Sequence, residues 1–193
     1  RASRVAVFFL DDMQTVRPGE VGSSELIRTE ASRRGADLSE YQLDAQFRCA
    51  GSEGFVNWVD NTLGVRRTAN VLWNQADEAF DFRIMPSVEA LEQEIRKLDA
   101  AGHSARLVAG YCWPWSRELV DGSRLAEDVV IGDWRRPWNA RPELTRLPAG
   151  IPKSMFWATD PGGIDQIGCV YTAQGFEFDY VGVIWGPDLR HVP

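Results

Sequence analysis

Residues 80–112 constrain the fold most. The segment FDFRIM at 80–85 alternates apolar and polar residues and reads as a strand. Ser87 then sits where a helix N-cap belongs, Val88, Leu91, Ile95 and Leu98 recur at helical spacing, and Gly102 stops the run. RLVAGYC at 106–112 is apolar and β-branched again. Strand, helix and strand in this rhythm predict a parallel βαβ unit, because the helix must carry the chain back over one face of the sheet.

The rest of the chain is read around that unit. VAVFFL at 5–10 is a fully apolar strand running into Asp11-Asp12. Residues 22–34 form a helix capped by Ser23 or Ser24 and stopped by Gly35. A short strand is expected at 40–43, and a second helix at 52–63 with Phe55, Val56, Val59 and Leu63 inward. Residues 65–79 read as a linker. Residues 113–148, rich in Trp, Pro and Arg, read as an irregular insertion around one strand at 128–134. A strand at 154–158, a helix at 164–172 and a buried parallel strand at 180–185 complete the series.

Composition narrows the function classes. The 193 residues are 44% hydrophobic and 25% charged, enough for one or two domains with a real core. The net charge of -7 argues against indiscriminate nucleic-acid binding through a basic surface, though not against a local groove. No apolar stretch is long enough to span a membrane. The three cysteines, Cys49, Cys112 and Cys169, are widely separated and only His103 and His191 accompany them, so no structural zinc site is expected. Unpaired cysteines suit a reducing, cytoplasmic setting. The chain starts with Arg1 almost directly on a strand and ends just after one, which reads as a piece cut from a longer protein at both ends.

Three strings carry the chemistry. In YTAQGFEFDYVGVI at 171–184, Gln174, Gly175, Glu177, Phe178 and Asp179 crowd before an apolar strand. A glycine admits close backbone approach, and a carboxylate two residues on accepts hydrogen bonds from a sugar hydroxyl. This pattern resembles motif V of superfamily 1 helicases. FFLDDMQTVRPGE at 8–20 resembles motif III of that family, with Asp11, Gln14 and Pro18 matching and Leu10 in place of the usual Gly. LDAQFRCAGS at 43–52 resembles motif IV, with Cys49 where Ser is usual. Their order agrees with the family. GYCWPW (110–115), VIGDWRRPWN (130–139) and WATDPGGIDQIGC (157–169) extend the resemblance over the whole chain, to the schlafen-like helicase-domain proteins, a bacterial family catalogued as a domain of unknown function.

The resemblance implies an α/β fold of the RecA-like P-loop NTPase type, with residues 1–44 ending a first lobe and 45–193 forming an incomplete second one. It implies that Gln14 senses the terminal phosphate of ATP, Phe47 stacks on the base and Arg48 reaches the γ-phosphate. Gly175, beside Gln174, would lie near the phosphates and Glu177 would hold the ribose. ATP with Mg²⁺ and a nucleic acid, DNA or RNA, are the implied cofactors and partner of the full-length protein. The three strings are expected at the C-terminal ends of strands, facing one cleft. A rival places Asp11 on Mg²⁺ and makes Asp12 the base, as a Walker B pair. Two other classes stay open: a metal-dependent nuclease using Asp11, Asp12 and Glu20, and a non-catalytic binding module. Against autonomous catalysis, no G-x-x-x-x-G-K-(S/T) occurs, neither Lys97 nor Lys153 suits a phosphate loop, and motif VI is missing. Thr172 stands only two residues before Gln174 and no His precedes it, which departs from motif V. Within the insertion, the Trp-Arg-Arg-Pro-Trp run could stack on a single strand or simply pack.

Overall fold

The computed structural model describes residues 3–12, 22–42, 49–74, 80–117 and 119–187. The chain divides into two compact units, Arg1–Ile84 and Met85–Pro193.

In the first unit, α1 (Ser24–Arg33) starts where Ser23 Oγ accepts the Leu26 amide at 3.1 Å, and it ends before Gly35 at φ +59°. The second helix, α2 (Glu53–Thr62), is capped by Ser52, whose Oγ accepts from the Phe55 amide. Its Phe55 ring meets Phe80 at 4.1 Å and Trp73 at 5.4 Å, while Trp58 meets Phe82 at 5.1 Å. That cluster explains a correction: residues 80–85, expected as a strand, are irregular. The period-2 pattern does put Phe80 and Phe82 on one side, but their partners are the rings of α2 rather than a neighbouring strand. Residues 5–10 are also irregular, with Val5 79% and Phe9 90% exposed. An extended segment becomes a strand only by pairing, and among the described residues nothing pairs with it. Residues 40–42 form no strand either.

The second unit is built on α3 (Val88–Ala100), capped by Ser87 as expected, and β1 (Ala105–Ala109). The chain then forms the hairpin β2 (Val129–Ile131) and β3 (Trp134–Arg136), the short strand β4 (Gly168–Cys169), the single turn α4 (Val170–Ala173) and β5 (Tyr180–Ile184). The main sheet has the order β4-β1-β5 and is parallel throughout, with Val108 opposite Gly168 and Ala105 opposite Tyr180. The α/β class with a parallel sheet and flanking helices is therefore as read from the sequence.

The central strand is buried on both faces. A Cβ on Gly182 would reach Leu107, Ile95 and Leu91, which shows how closely α3 lies against β1 and β5. Arg106 points from β1 into a polar clamp and is only 3% exposed. Its guanidinium donates to Asp99 Oδ1 at 2.6 Å, the Trp157 carbonyl at 3.3 Å and the Asp160 carbonyl at 3.0 Å. The strand β5 is not the buried strand expected. Val181, Val183 and Trp185 are 47%, 57% and 60% exposed, since among the described residues β5 is an edge of its sheet and only its α3 side is covered.

Three further expectations change. Residues 128–134 are half of a hairpin, because Gly132 turns the chain with a left-handed φ of +58°. Residues 154–156 are a 3-10 turn that drops Trp157 into the core at 0% exposure. The helix expected at 164–172 is a 3-10 turn, Pro161–Asp165, followed by β4 and α4. Gly168 leaves no room for a side chain beneath the Trp157 ring, so the two residues define that strand jointly.

The insertion is packed rather than displayed. Trp134 and Trp138 are 6% and 1% exposed, and neither is available to stack on a nucleic acid. Glu92 of α3, itself buried, accepts from Trp134 Nε1 at 2.7 Å and from Arg136 at 2.8 Å, and pairs with Arg96 at 2.9 Å. Burial pushes the Glu92 carboxyl up, but the bonds from Arg136, Trp134 and Arg96 outweigh it and hold it below the ordinary value.

Candidate nucleotide-binding loop

The loop at 174–179 is held at both ends. At its start, Cys169 is the last residue of β4 and the N-cap of α4, yet it offers no side-chain cap. Asn139, fully buried in the insertion, ties this turn down instead. Its Oδ1 accepts the Cys169 amide at 3.1 Å and its Nδ2 donates to Thr172 Oγ1 at 3.1 Å. The turn ends at Gln174, and Gly175 takes φ +89°, a left-handed conformation that favours glycine.

Beyond Gly175 the side chains alternate. Phe176 and Phe178 are half-buried, with the Phe178 ring 5.9 Å from Trp157 and 6.4 Å from Phe176. Glu177 between them is exposed and makes no hydrogen bond or ion pair with any described residue. At the far end, Asp179 is tied to Ser104, the residue before β1. The Ser104 backbone N–H, then its hydroxyl, and then His103 hold the Asp179 carboxyl below its usual range. The result is a loop anchored at both ends that presents a left-handed glycine, Gln174 and the exposed Glu177 carboxylate to solvent.

The register corrects one expectation. The string leaves the C-terminal end of β4, where Cys169 lies opposite Ala109, but re-enters at Tyr180, opposite Ala105. A chain joining two parallel strands must return to the edge where both begin, so the 179 end lies at the N-terminal edge of the sheet.

In the first unit, Asp12 accepts from the Ser24 amide at 2.9 Å and the Ser24 hydroxyl at 2.7 Å. Those two bonds, the backbone one foremost, lower its pKa. Asp12 thus sits at the N-terminus of α1, where a carboxylate is favoured. Asp11 precedes it on irregular chain. Gln14, Phe47 and Arg48, together with Pro18 and Glu20, lie outside the described residues. The described site residues therefore fall in two groups, Asp11 and Asp12 in one unit and Gln174, Gly175 and Glu177 in the other. Among the described residues no group of three or more His, Cys, Asp or Glu is placed to hold a metal ion. No described helix is long and apolar enough to cross a membrane, and the three cysteines form no disulfide.

Two anchoring residues were missed by sequence reasoning. Ser104 carried a weak signal, standing between the helix stop at Gly102 and the next strand. Asn139 stands at the end of the 130–139 string, but nothing there signals an anchor, because its partners are 30 and 33 residues away.

Residues 1–192 match the family described as Schlafen group 3, DNA/RNA helicase domain. The chain belongs to this family. Membership in the Schlafen group 3 family agrees with the resemblance to the schlafen-like helicase-domain proteins and makes this a helicase-like domain. The chain is also 27% identical over 211 residues to the uncharacterized protein YPL245W of Saccharomyces cerevisiae, a match that takes in 97% of the chain. It spans 42% of the length of that relative. No solved structure matches the chain.

Proposed function

We propose that this Schlafen group 3 domain is part of a nucleic-acid-dependent ATPase of the superfamily 1 helicase type, with the RecA-like P-loop fold. Gly175 approaches the phosphates, Gln174 flanks them and Glu177 accepts from the ribose. Gln14 senses the terminal phosphate, Phe47 stacks on the base and Arg48 contacts the γ-phosphate. An aromatic face suits a purine, and a guanidinium suits a phosphate oxygen pair. Nucleotide binding in the full-length protein would then be coupled to movement on DNA or RNA.

The observation that carries this reading is Glu177: an exposed carboxylate with no partner among the described residues, on a loop whose two ends are fixed, two residues after a left-handed glycine. A site that must keep its geometry while empty is built this way. The residues described here do not assemble a Mg²⁺ site. Both Asp12 oxygens are engaged with Ser24, which suits Asp12 to capping α1.

The test is phosphate release by the full-length protein with and without single-stranded DNA or RNA. Turnover stimulated by nucleic acid and lowered at least tenfold by Glu177→Ala supports the reading. Turnover indifferent to Glu177→Ala removes the loop from the site. The chain of residues 1–193 alone should release no phosphate, since phosphoryl transfer needs a phosphate loop, Mg²⁺ and arginine acting together.

A further inference from the structure

Asn139 stands at the junction between the aromatic insertion and the loop that carries Glu177. Its backbone is fixed on both sides. The Asn139 amide donates to the Ile167 carbonyl at 2.8 Å, and the Asn139 carbonyl accepts from Trp115 Nε1 at 3.1 Å. Next to it, Ile167 N–H donates to the Pro137 carbonyl at 2.9 Å, so residues 137–139 run as a short parallel bridge beside β4. The bridge would continue with a backbone carbonyl for the Cys169 amide. The Asn139 side-chain oxygen takes that place instead, and its amide nitrogen turns to Thr172 Oγ1, the Ala140 carbonyl at 3.1 Å and Ser154 Oγ at 3.4 Å.

An asparagine that is fully buried and uses both ends of its amide fixes a direction as well as a position. Here it sets the first turn of α4, whose last residue, Ala173, is followed directly by Gln174 and Gly175. The insertion holds Asn139 through Trp115. Trp115 in turn packs 6.1 Å from buried Trp138, and the Arg141 guanidinium lies 5.0 Å over the Trp115 ring. The Trp, Arg and Pro-rich segment is therefore internal support for the loop.

We propose that Asn139 is a positioning residue for nucleotide binding, acting through Thr172 to aim Gly175 and Glu177. This rests on the reading of 174–179 as the nucleotide loop. Loss of the Asn139–Thr172 bond loosens the loop start while the Asp179–Ser104 tie still holds its end. The predicted consequence is poorer ribose recognition: KM rises, and kcat on saturating ATP changes little.

The experiment uses the full-length protein with Asn139→Asp and the milder Thr172→Val, each compared with Thr172→Ser, which keeps the hydroxyl. KM and kcat are measured for ATP, 2′-deoxy-ATP and 3′-deoxy-ATP. The expected result is about a tenfold rise in KM for ATP in the first two variants, with kcat within about twofold, near-parental values for Thr172→Ser, and a reduced preference for ATP over the deoxynucleotides. A variant that only misfolds in part would lower kcat for all three nucleotides and leave the preference intact, and that outcome overturns the positioning role. Amide hydrogen exchange on the same proteins reads the loop without nucleotide. Faster exchange confined to 173–178, with α3 and β1 still protected, supports the proposal; unchanged exchange there overturns it. If the parent shows no preference for ATP over either deoxynucleotide while the loop does loosen, the fault lies with Glu177 as the ribose ligand and not with Asn139 as the anchor.

Discussion

Asp179 and Ser104 bind each other reciprocally across 75 residues of sequence. Ser104 donates its amide at 2.9 Å and its hydroxyl at 3.0 Å to Asp179 Oδ2, and Ser104 Oγ accepts the Asp179 amide at 2.8 Å. The pair sits where β1 and β5 both begin and holds the end of the candidate nucleotide loop to the sheet.

Its pH dependence follows from the sign of the shift. The Asp179 carboxyl is lowered in the folded state, first by the Ser104 backbone N–H. Its contribution is therefore complete above the ordinary aspartate value of about 3.9 and is lost as pH falls through the lowered folded value. Thermal melts should show Asp179→Asn less stable than the parent at pH 7, with the gap closing toward pH 2. A gap independent of pH would mean that the charge plays no part.

Gly182→Val tests the seam between α3 and the sheet. A Cβ at Gly182 would lie 2.6 Å from Leu107 Cδ2 and 2.9 Å from Ile95 Cγ1, and Leu107 is only 2% exposed, so it has little room to move. Overpacking of this kind costs about 1–3 kcal/mol, and urea denaturation of the purified domain should show a loss in that range. Stability within about 0.5 kcal/mol of the parent would show that α3 can shift away from β5 without loss.

Glu92→Ala should be more damaging than a surface substitution. It takes the carboxylate away from Arg136 and from the Trp134 indole N–H, while Arg96 keeps Asp165 at 2.8 Å. Removing one partner of a buried ion pair costs about 3–5 kcal/mol, and the partial exposure of both arginines places the expectation at the low end, near about 3 kcal/mol. Denaturation monitored by tryptophan fluorescence reads this directly, and a loss under about 1 kcal/mol would show that the hairpin does not depend on Glu92.

Arg48→Ala in the full-length protein separates phosphate sensing from general binding. If Arg48 meets the γ-phosphate, ADP affinity stays near parental and ATP-dependent turnover falls roughly tenfold to a hundredfold, in line with about 1.5–3 kcal/mol for a hydrogen bond to a charged group. Equal loss of ADP and ATP binding points to base contacts or misfolding. An unchanged rate removes Arg48 from the site.

The helices were legible because their signals are local. Ser23, Ser52 and Ser87 cap α1, α2 and α3 where the sequence places caps, and the stripe of Leu91, Ile95 and Leu98 lies against the core. Of the expected βαβ unit, the helix and the second strand formed as α3 and β1 but the first strand, at 80–85, did not, and 180–184 supplies a parallel neighbour for β1 instead. The strands expected at 5–10, 80–85 and 154–158 did not hold. Apolar alternation states only that side chains want burial, and Phe80 with Phe82 found helix rings while Trp157 found the space above Gly168. For the site, the residue types of the 174–179 string were readable because a left-handed glycine and a carboxylate two positions on form a short-range pattern.

What the amino-acid sequence determined by itself was the class of the fold, the boundaries of α1, α2 and α3, the family and the makeup of the loop around Gly175 and Glu177. Each rests on periodicity, capping or a short string, which are interactions among neighbours in the chain. Only the tertiary structure decided that β5 is an edge, that Trp134 and Trp138 are core, and that Asn139 and Ser104 anchor the two ends of the loop. Those outcomes depend on pairs 30 to 75 residues apart, as Asn139 with Cys169 and Ser104 with Asp179 show. A polar group, buried as Asn139 or exposed as Ser104, takes whichever partner the packed fold brings within reach, and no spacing along one chain encodes that choice.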